Sequence, residues 1–83
     1  MFLKYCDGSS FSSDRTDAVR VGSQSIFMRG RRLLDAALQD LDDVLAIGQA
    51  RRVLLSGCSA GGLSSFLHAD RVRSVLRPDA TFK

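Results

Sequence analysis

In the middle of the chain, apolar positions recur at three- and four-residue spacing: Leu33, Leu34, Ala37, Leu38, Leu41, Val44 and Leu45. That stripe predicts an amphipathic helix from about Arg29 to Ile47, with Asp35, Gln39, Asp42 and Asp43 largely on its wet face. Gly48 follows the last periodic residue and is expected to stop the helix. The short apolar run from Arg52 to Ser56 then reads as a buried strand. Leu63, Phe66, Leu67, Val72, Val75 and Leu76 fit a second amphipathic helix, interrupted or bent near Asp70 and ended by Pro78. Ahead of both helices, Phe2–Cys6 alternates as a short strand does. Asp7-Gly8-Ser9-Ser10 is a turn signal, and the polar stretch continues to Asp17 with only Phe11 interrupting. Such a loop either lines a site or is plain surface. Ala18–Val21 and Ser25–Met28 read as brief extended pieces. There is no internal repeat.

Between the predicted strand and the second helix lies Gly57-Cys58-Ser59-Ala60-Gly61, a G-x-S-x-G sequence. Strand, Gly-x-Ser-x-Gly turn and helix in that order form a nucleophile elbow. The chemistry needs a serine on a turn tight enough to lift its Oγ clear of the sheet. Gly57 and Gly61 sit two residues either side of Ser59, where a Cβ is expected to crowd the strand-to-helix crossing. Ser59 then faces the free N–H groups and positive end of the helix. The Ala60 N–H is the candidate oxyanion donor. The plainer reading makes Ser59 an N-cap in a Gly/Ser-rich turn.

Eighty-three residues are short for an α/β sheet that serves a serine hydrolase, and a two- or three-strand parallel sheet would leave bare edges. The fold class expected is α/β: parallel strands with two amphipathic helices in an incomplete sheet. With 45% hydrophobic and 25% charged residues the chain is globular rather than disordered. No apolar run approaches the roughly 20 residues of a membrane helix, and no basic-then-apolar leader opens the chain. A net charge of +3 is mild. Arg29, Arg31, Arg32, Arg51 and Arg52 cluster, but at element ends, and no nucleic-acid motif accompanies them, so nucleic acid is not an expected partner. Asp40, Asp42 and Asp43 read as a solvated helix face, and no metal or cofactor is expected. Cys6 and Cys58 have no metal or redox spacing. They pair with each other, with cysteines elsewhere, or not at all.

A serine hydrolase of this type takes its acid and histidine after the nucleophile. His68 is the only histidine, nine residues beyond Ser59 and so roughly 13 Å along a shared helix. It is not expected to serve as the base, which needs hydrogen-bond contact. The downstream acids, Asp70 and Asp79, are not placed to orient an imidazole. The residues thus offer a nucleophile without the triad Asp and His.

Four blocks in order carry a resemblance: Lys4-Tyr5-Cys6-Asp7-Gly8-Ser9-Ser10-Phe11, Phe27-Met28-Arg29-Gly30, Leu54–Leu63 around the elbow, and Leu67-His68-Ala69-Asp70. Together they resemble the plant pectin acetylesterases and, more loosely at the elbow, the Notum-type carboxylesterases. The resemblance implies one α/β-hydrolase domain, of which residues 1–83 are a central fragment. It also implies a secreted, cell-wall enzyme that removes acetyl esters from pectin, with Ser59 as nucleophile and the Ala60 N–H in the oxyanion hole. In that family a glycine-rich oxyanion segment precedes the first block, and the catalytic aspartate and histidine follow the last. Position 69 is Ala where the plant enzymes often carry cysteine, a change that bears on a disulfide. The alternative expectation is a catalytically inactive remnant lacking the triad Asp and His.

Overall fold

The computed structural model describes all residues from Met1 to Lys83. Two short strands come first, β1 (Val19–Val21) and β2 (Gln24–Ile26), paired antiparallel with Val19 opposite Ile26. Gly22 takes the first of the two turn positions with φ 61°, the left-handed conformation that lets a two-residue turn follow the twist of its strands. Helix α1 (Gly30–Leu45) follows, then a single 3-10 turn (Ile47–Gln49), strand β3 (Arg52–Val53), helix α2 (Ala60–Ser74) and strand β4 (Thr81–Phe82).

Strands β3 and β4 pair in parallel, Arg52 with Thr81 and Val53 with Phe82. Parallel neighbours need a crossover, and α2 supplies it. Three further backbone bonds extend the pairing: Thr81 N–H to Arg51 O, Lys83 N–H to Val53 O and Leu55 N–H to Lys83 O. The strand leading to the elbow is thus real but shorter than the expected Arg52–Ser56, because β4 accompanies it for only a few residues. Two helices and a parallel pair of strands make a small mixed α/β arrangement, as expected, with a second, antiparallel pair added to it.

The core is Phe11 with Leu34 and Leu38 of α1 and Val72 of α2, and Leu55 and Phe82 pack against it. Leu41 and Leu76 are also buried. An ion pair from Arg71 to Asp35 ties the two helices together at the edge of this contact. The molecule measures 49 × 26 × 18 Å and buries only 10 of its residues, so both helices keep an uncovered apolar face.

Several expected elements take another form. Phe2–Cys6 is not a strand, since no backbone ladder runs beside it. The α1 stop is Ala46, left-handed at φ 51° and bonded through its N–H to Asp42 O, two residues before the glycine. Gly48 is small for a different reason. Its N–H binds the Asp42 carboxylate, and an added Cβ would stand 3.1 Å from Val75 O. Helix α2 runs unbroken past Asp70 and ends at Ser74, before Pro78. Its buried face is Ser64, His68 and Val72, whereas Leu63, Phe66 and Leu67 point outward, Phe66 with 82% of its surface exposed. Residues 64, 68 and 72 share one face at i, i+4 spacing, and that face meets the Ser10–Phe11 loop and α1.

Candidate active site

Ser59 joins β3 to α2 with φ 54° and ψ −123°. An L-residue rarely adopts that backbone, and holding it costs on the order of 1–3 kcal/mol. Ser59 occupies the N-cap position, yet its side chain makes no capping hydrogen bond. A serine used only as a cap would sit in an extended conformation and accept from a helix N–H. Here the backbone is strained and the hydroxyl is left exposed and free.

The strain is held by close packing of the turn. A Cβ on Gly57 would lie 2.2 Å from the Gly61 carbonyl oxygen and 2.7 Å from the Gly62 nitrogen. Gly57 must therefore be glycine for the strand to pass so near the helix. Gly61 needs no such space: a Cβ there meets nothing within 4 Å, contrary to the expectation from the motif. The second tight glycine is Gly62, where an added Cβ would lie 3.1 Å from Gly57 O.

At the helix start, the Gly61 N–H binds Cys58 O and the Leu63 N–H binds Ser59 O. The Ala60 N–H has no backbone acceptor. A free N–H at the positive end of a helix, next to an exposed serine hydroxyl, can receive a developing oxyanion. Beside Ser59 opens a cavity of about 550 Å³, walled by Tyr5, Phe11, Leu34, Leu55, His68 and Val72 among others.

His68 shares this cavity but is occupied. It is buried, with Nε2 3.0 Å from Ser10 O. A carbonyl only accepts, so Nε2 carries the proton and donates it there. The unbroken helix keeps His68 nine residues from Ser59, as the spacing predicts. Neither downstream acid completes a triad. Asp70 is exposed, and Asp79 is held by Arg77, whose hydrogen bond, against a smaller desolvation penalty, keeps the carboxyl below the ordinary aspartate value. Both cysteine thiols are free and exposed.

Asp7 organises the loop that carries Phe11 into the cavity wall. Its carboxylate accepts from Ser9 N–H, Ser9 Oγ, Phe11 N–H (2.8 Å) and Ser13 Oγ. Partial burial pushes its pKa up, but these donors outweigh that and hold it below the usual aspartate value. Ser13 Oγ also accepts from the Gly30 N–H at the start of α1, where any Cβ would collide with the Asp7 carboxylate. The acidic trio on α1 is solvated: Asp42 binds Gly48 N–H and Asp43 binds Gln39.

The pectinacetylesterase family model matches residues 1–83. The chain belongs to the pectinacetylesterase family. It is 39% identical to pectin acetylesterase 4 of Arabidopsis thaliana, over all of this chain and 20% of that protein. It is 40% identical to pectin acetylesterase 5 and 42% identical to pectin acetylesterase 11 of the same plant, each over 98% of this chain. Those alignments span 18% and 20% of the two proteins, so the chain covers about one fifth of the length of these curated relatives. No solved structure matches it.

For this pectinacetylesterase chain, the motif pointed to Ser59 and Ala60 and the structure brings them together at one helix start. Pattern reading missed Asp7 as a hub, although Asp-Gly-Ser is a sequence in which an aspartate commonly binds backbone N–H groups ahead of it. It also missed what His68 binds, because a contact across 58 residues leaves no local signal.

Proposed function

We propose that these residues carry the nucleophile elbow of a serine carboxylesterase that removes acetyl groups from cell-wall pectin, as part of one α/β-hydrolase domain. The observation that carries this reading is Ser59: strained, exposed and free of any capping bond, beside the unoccupied Ala60 N–H. Membership of a family whose relatives are named pectin acetylesterases supports the substrate. The same membership supports a secreted, extracellular location; no helix of the chain is long and apolar enough to cross a membrane.

In this mechanism Ser59 Oγ attacks the acetyl carbonyl carbon while a general base takes its proton. The carbonyl oxygen becomes an oxyanion and is stabilised by the Ala60 N–H and the α2 dipole. The proton passes to the departing sugar oxygen, leaving acetyl-Ser59, and water then adds to release acetate. His68 is not the base, because it lies nine residues along the same helix and makes no hydrogen bond to Ser59 Oγ; its one hydrogen bond is to Ser10 O. The base and its acid partner belong to the part of the domain outside this match, in line with the relatives' greater length.

The test is acetate release from acetylated pectin by the full-length protein and by its Ser59→Ala variant, with fluorophosphonate labelling of both. Release and labelling that vanish together in the variant are expected. A folded wild-type protein that neither releases acetate nor takes the label overturns the reading in favour of an inactive family member. Labelling without release from pectin overturns the substrate alone.

A further inference from the structure

The buried face of α2 that looks onto the Ser59 cavity contains one polar side chain with a long-range partner, His68. Its partner is unusual. Ser10 and Phe11 are consecutive L-residues in left-handed backbone, at φ 52° and 56°. Each such residue is unfavourable on its own, so the pair persists only where surrounding contacts over-determine it. Three hydrogen bonds supply those contacts. The Ser10 N–H donates to Tyr5 Oη at 3.0 Å, the Phe11 N–H to Asp7, and Ser10 O receives the proton of His68 Nε2. Of the three, only the His68 bond reaches from the loop to the helix that begins at Ser59.

What the bond holds in place is a wall. Phe11 is buried against Leu34, Leu38 and Val72, and its ring meets that of Tyr5 edge-on with centroids 5.6 Å apart. Both rings line the cavity beside Ser59. We infer that His68 is a positioning residue of the esterase site: by binding the Ser10 carbonyl it fixes the Tyr5–Phe11 wall relative to Ser59, and so sets how well the substrate fits. It takes no part in proton transfer. This inference rests on the esterase reading above for its kinetic consequence, and on the hydrogen bond alone for its structural one.

The experiment compares His68→Leu, His68→Gln and Tyr5→Phe in the full-length protein. Glutamine can place an N–H near the position of Nε2, and Tyr5→Phe removes the hydrogen bond at the other backbone group of Ser10, its N–H, from an exposed side chain, which keeps the test alive if His68→Leu does not fold. His68→Leu and Tyr5→Phe are expected to raise KM about five- to tenfold with kcat within about twofold, the size of one lost hydrogen bond. His68→Gln should restore most of the loss. Amide exchange at Ser10 and Phe11 should quicken about tenfold in His68→Leu and return in His68→Gln. Unchanged exchange and KM in His68→Leu overturn the proposal. So does a fall in kcat at constant KM that glutamine fails to rescue, since that would place His68 in the chemistry. A wild-type protein without esterase activity or Ser59 labelling overturns the esterase reading and the kinetic role together, while the exchange comparison still decides the anchoring.

Discussion

Gly57 and Gly61 meet backbone to backbone: a side chain on Gly57 would begin 2.2 Å from the Gly61 carbonyl oxygen, whereas one on Gly61 would meet nothing. The two glycines of the elbow motif are thus unequal. Gly57→Ala is expected to destabilise the protein by about 2–3 kcal/mol, because neither backbone segment can move away without opening the turn. Gly61→Ala lies in the first turn of α2 and should be neutral or stabilising by up to about 1 kcal/mol. Urea unfolding of the two variants checks this, and equal losses would show that the contact does not hold the elbow.

The strain at Ser59 makes its own prediction. Glycine tolerates φ 54°, ψ −123° far better than alanine does, and both substitutions remove the hydroxyl. Ser59→Gly should therefore be about 1–2 kcal/mol more stable than Ser59→Ala and also more stable than wild type, whereas at an ordinary N-cap glycine exceeds alanine but falls a few tenths of a kcal/mol below serine. Both should be dead toward fluorophosphonate. If Ser59→Ala is the more stable, the serine is not strained.

Asp7 links stability to acid. Its folded pKa lies below the ordinary value of 3.8, so its contribution is complete above that value and fades as pH falls through the lower, folded one. Stability of the wild-type protein should hold from about pH 5 upward and decline below about pH 4. Asp7→Asn keeps one oxygen for the Ser9 and Phe11 donors but loses the charge they bind and turns an NH2 toward Ser13 Oγ. It should be less stable at neutral pH and show a flatter acid limb in thermal melts. Melting curves for variant and wild type that run parallel from pH 2.5 to 6 would remove Asp7 as the cause.

Neighbouring leucines on α1 should behave very differently. Leu34 is 5% exposed against Phe11 and Val72, while Leu33 is 57% exposed. Leu34→Ala is expected to cost about 2–4 kcal/mol and Leu33→Ala about 0.5 kcal/mol or less. In the full-length protein a large loss at Leu33 would reveal that another part of the chain covers that face.

Much of the architecture is local and was therefore readable from residue order. The α1 stripe extends over four turns, and its helix runs from Gly30 to Leu45, inside the expected span. The elbow is encoded in five consecutive residues, and the four motif blocks placed the chain in its family. What lay beyond reach is what depends on a partner across space. Two faces of α2 fit a helical period, and the more apolar one, at Leu63, Phe66 and Leu67, is the one left outside. Helix periodicity says that one face is apolar; it does not say what will pack there. The same holds for the Ala46 cap, which precedes the glycine expected to serve, and for Gly48, whose smallness answers to Asp42 and Val75. Sequence alone thus determined two helices, a strand-turn-helix elbow and the serine on it, because each arises among residues a few positions apart. Only the tertiary structure decided the strain at Ser59, the inequality of Gly57 and Gly61, and the bond from His68 to Ser10, because each depends on backbone and side chains brought together by packing.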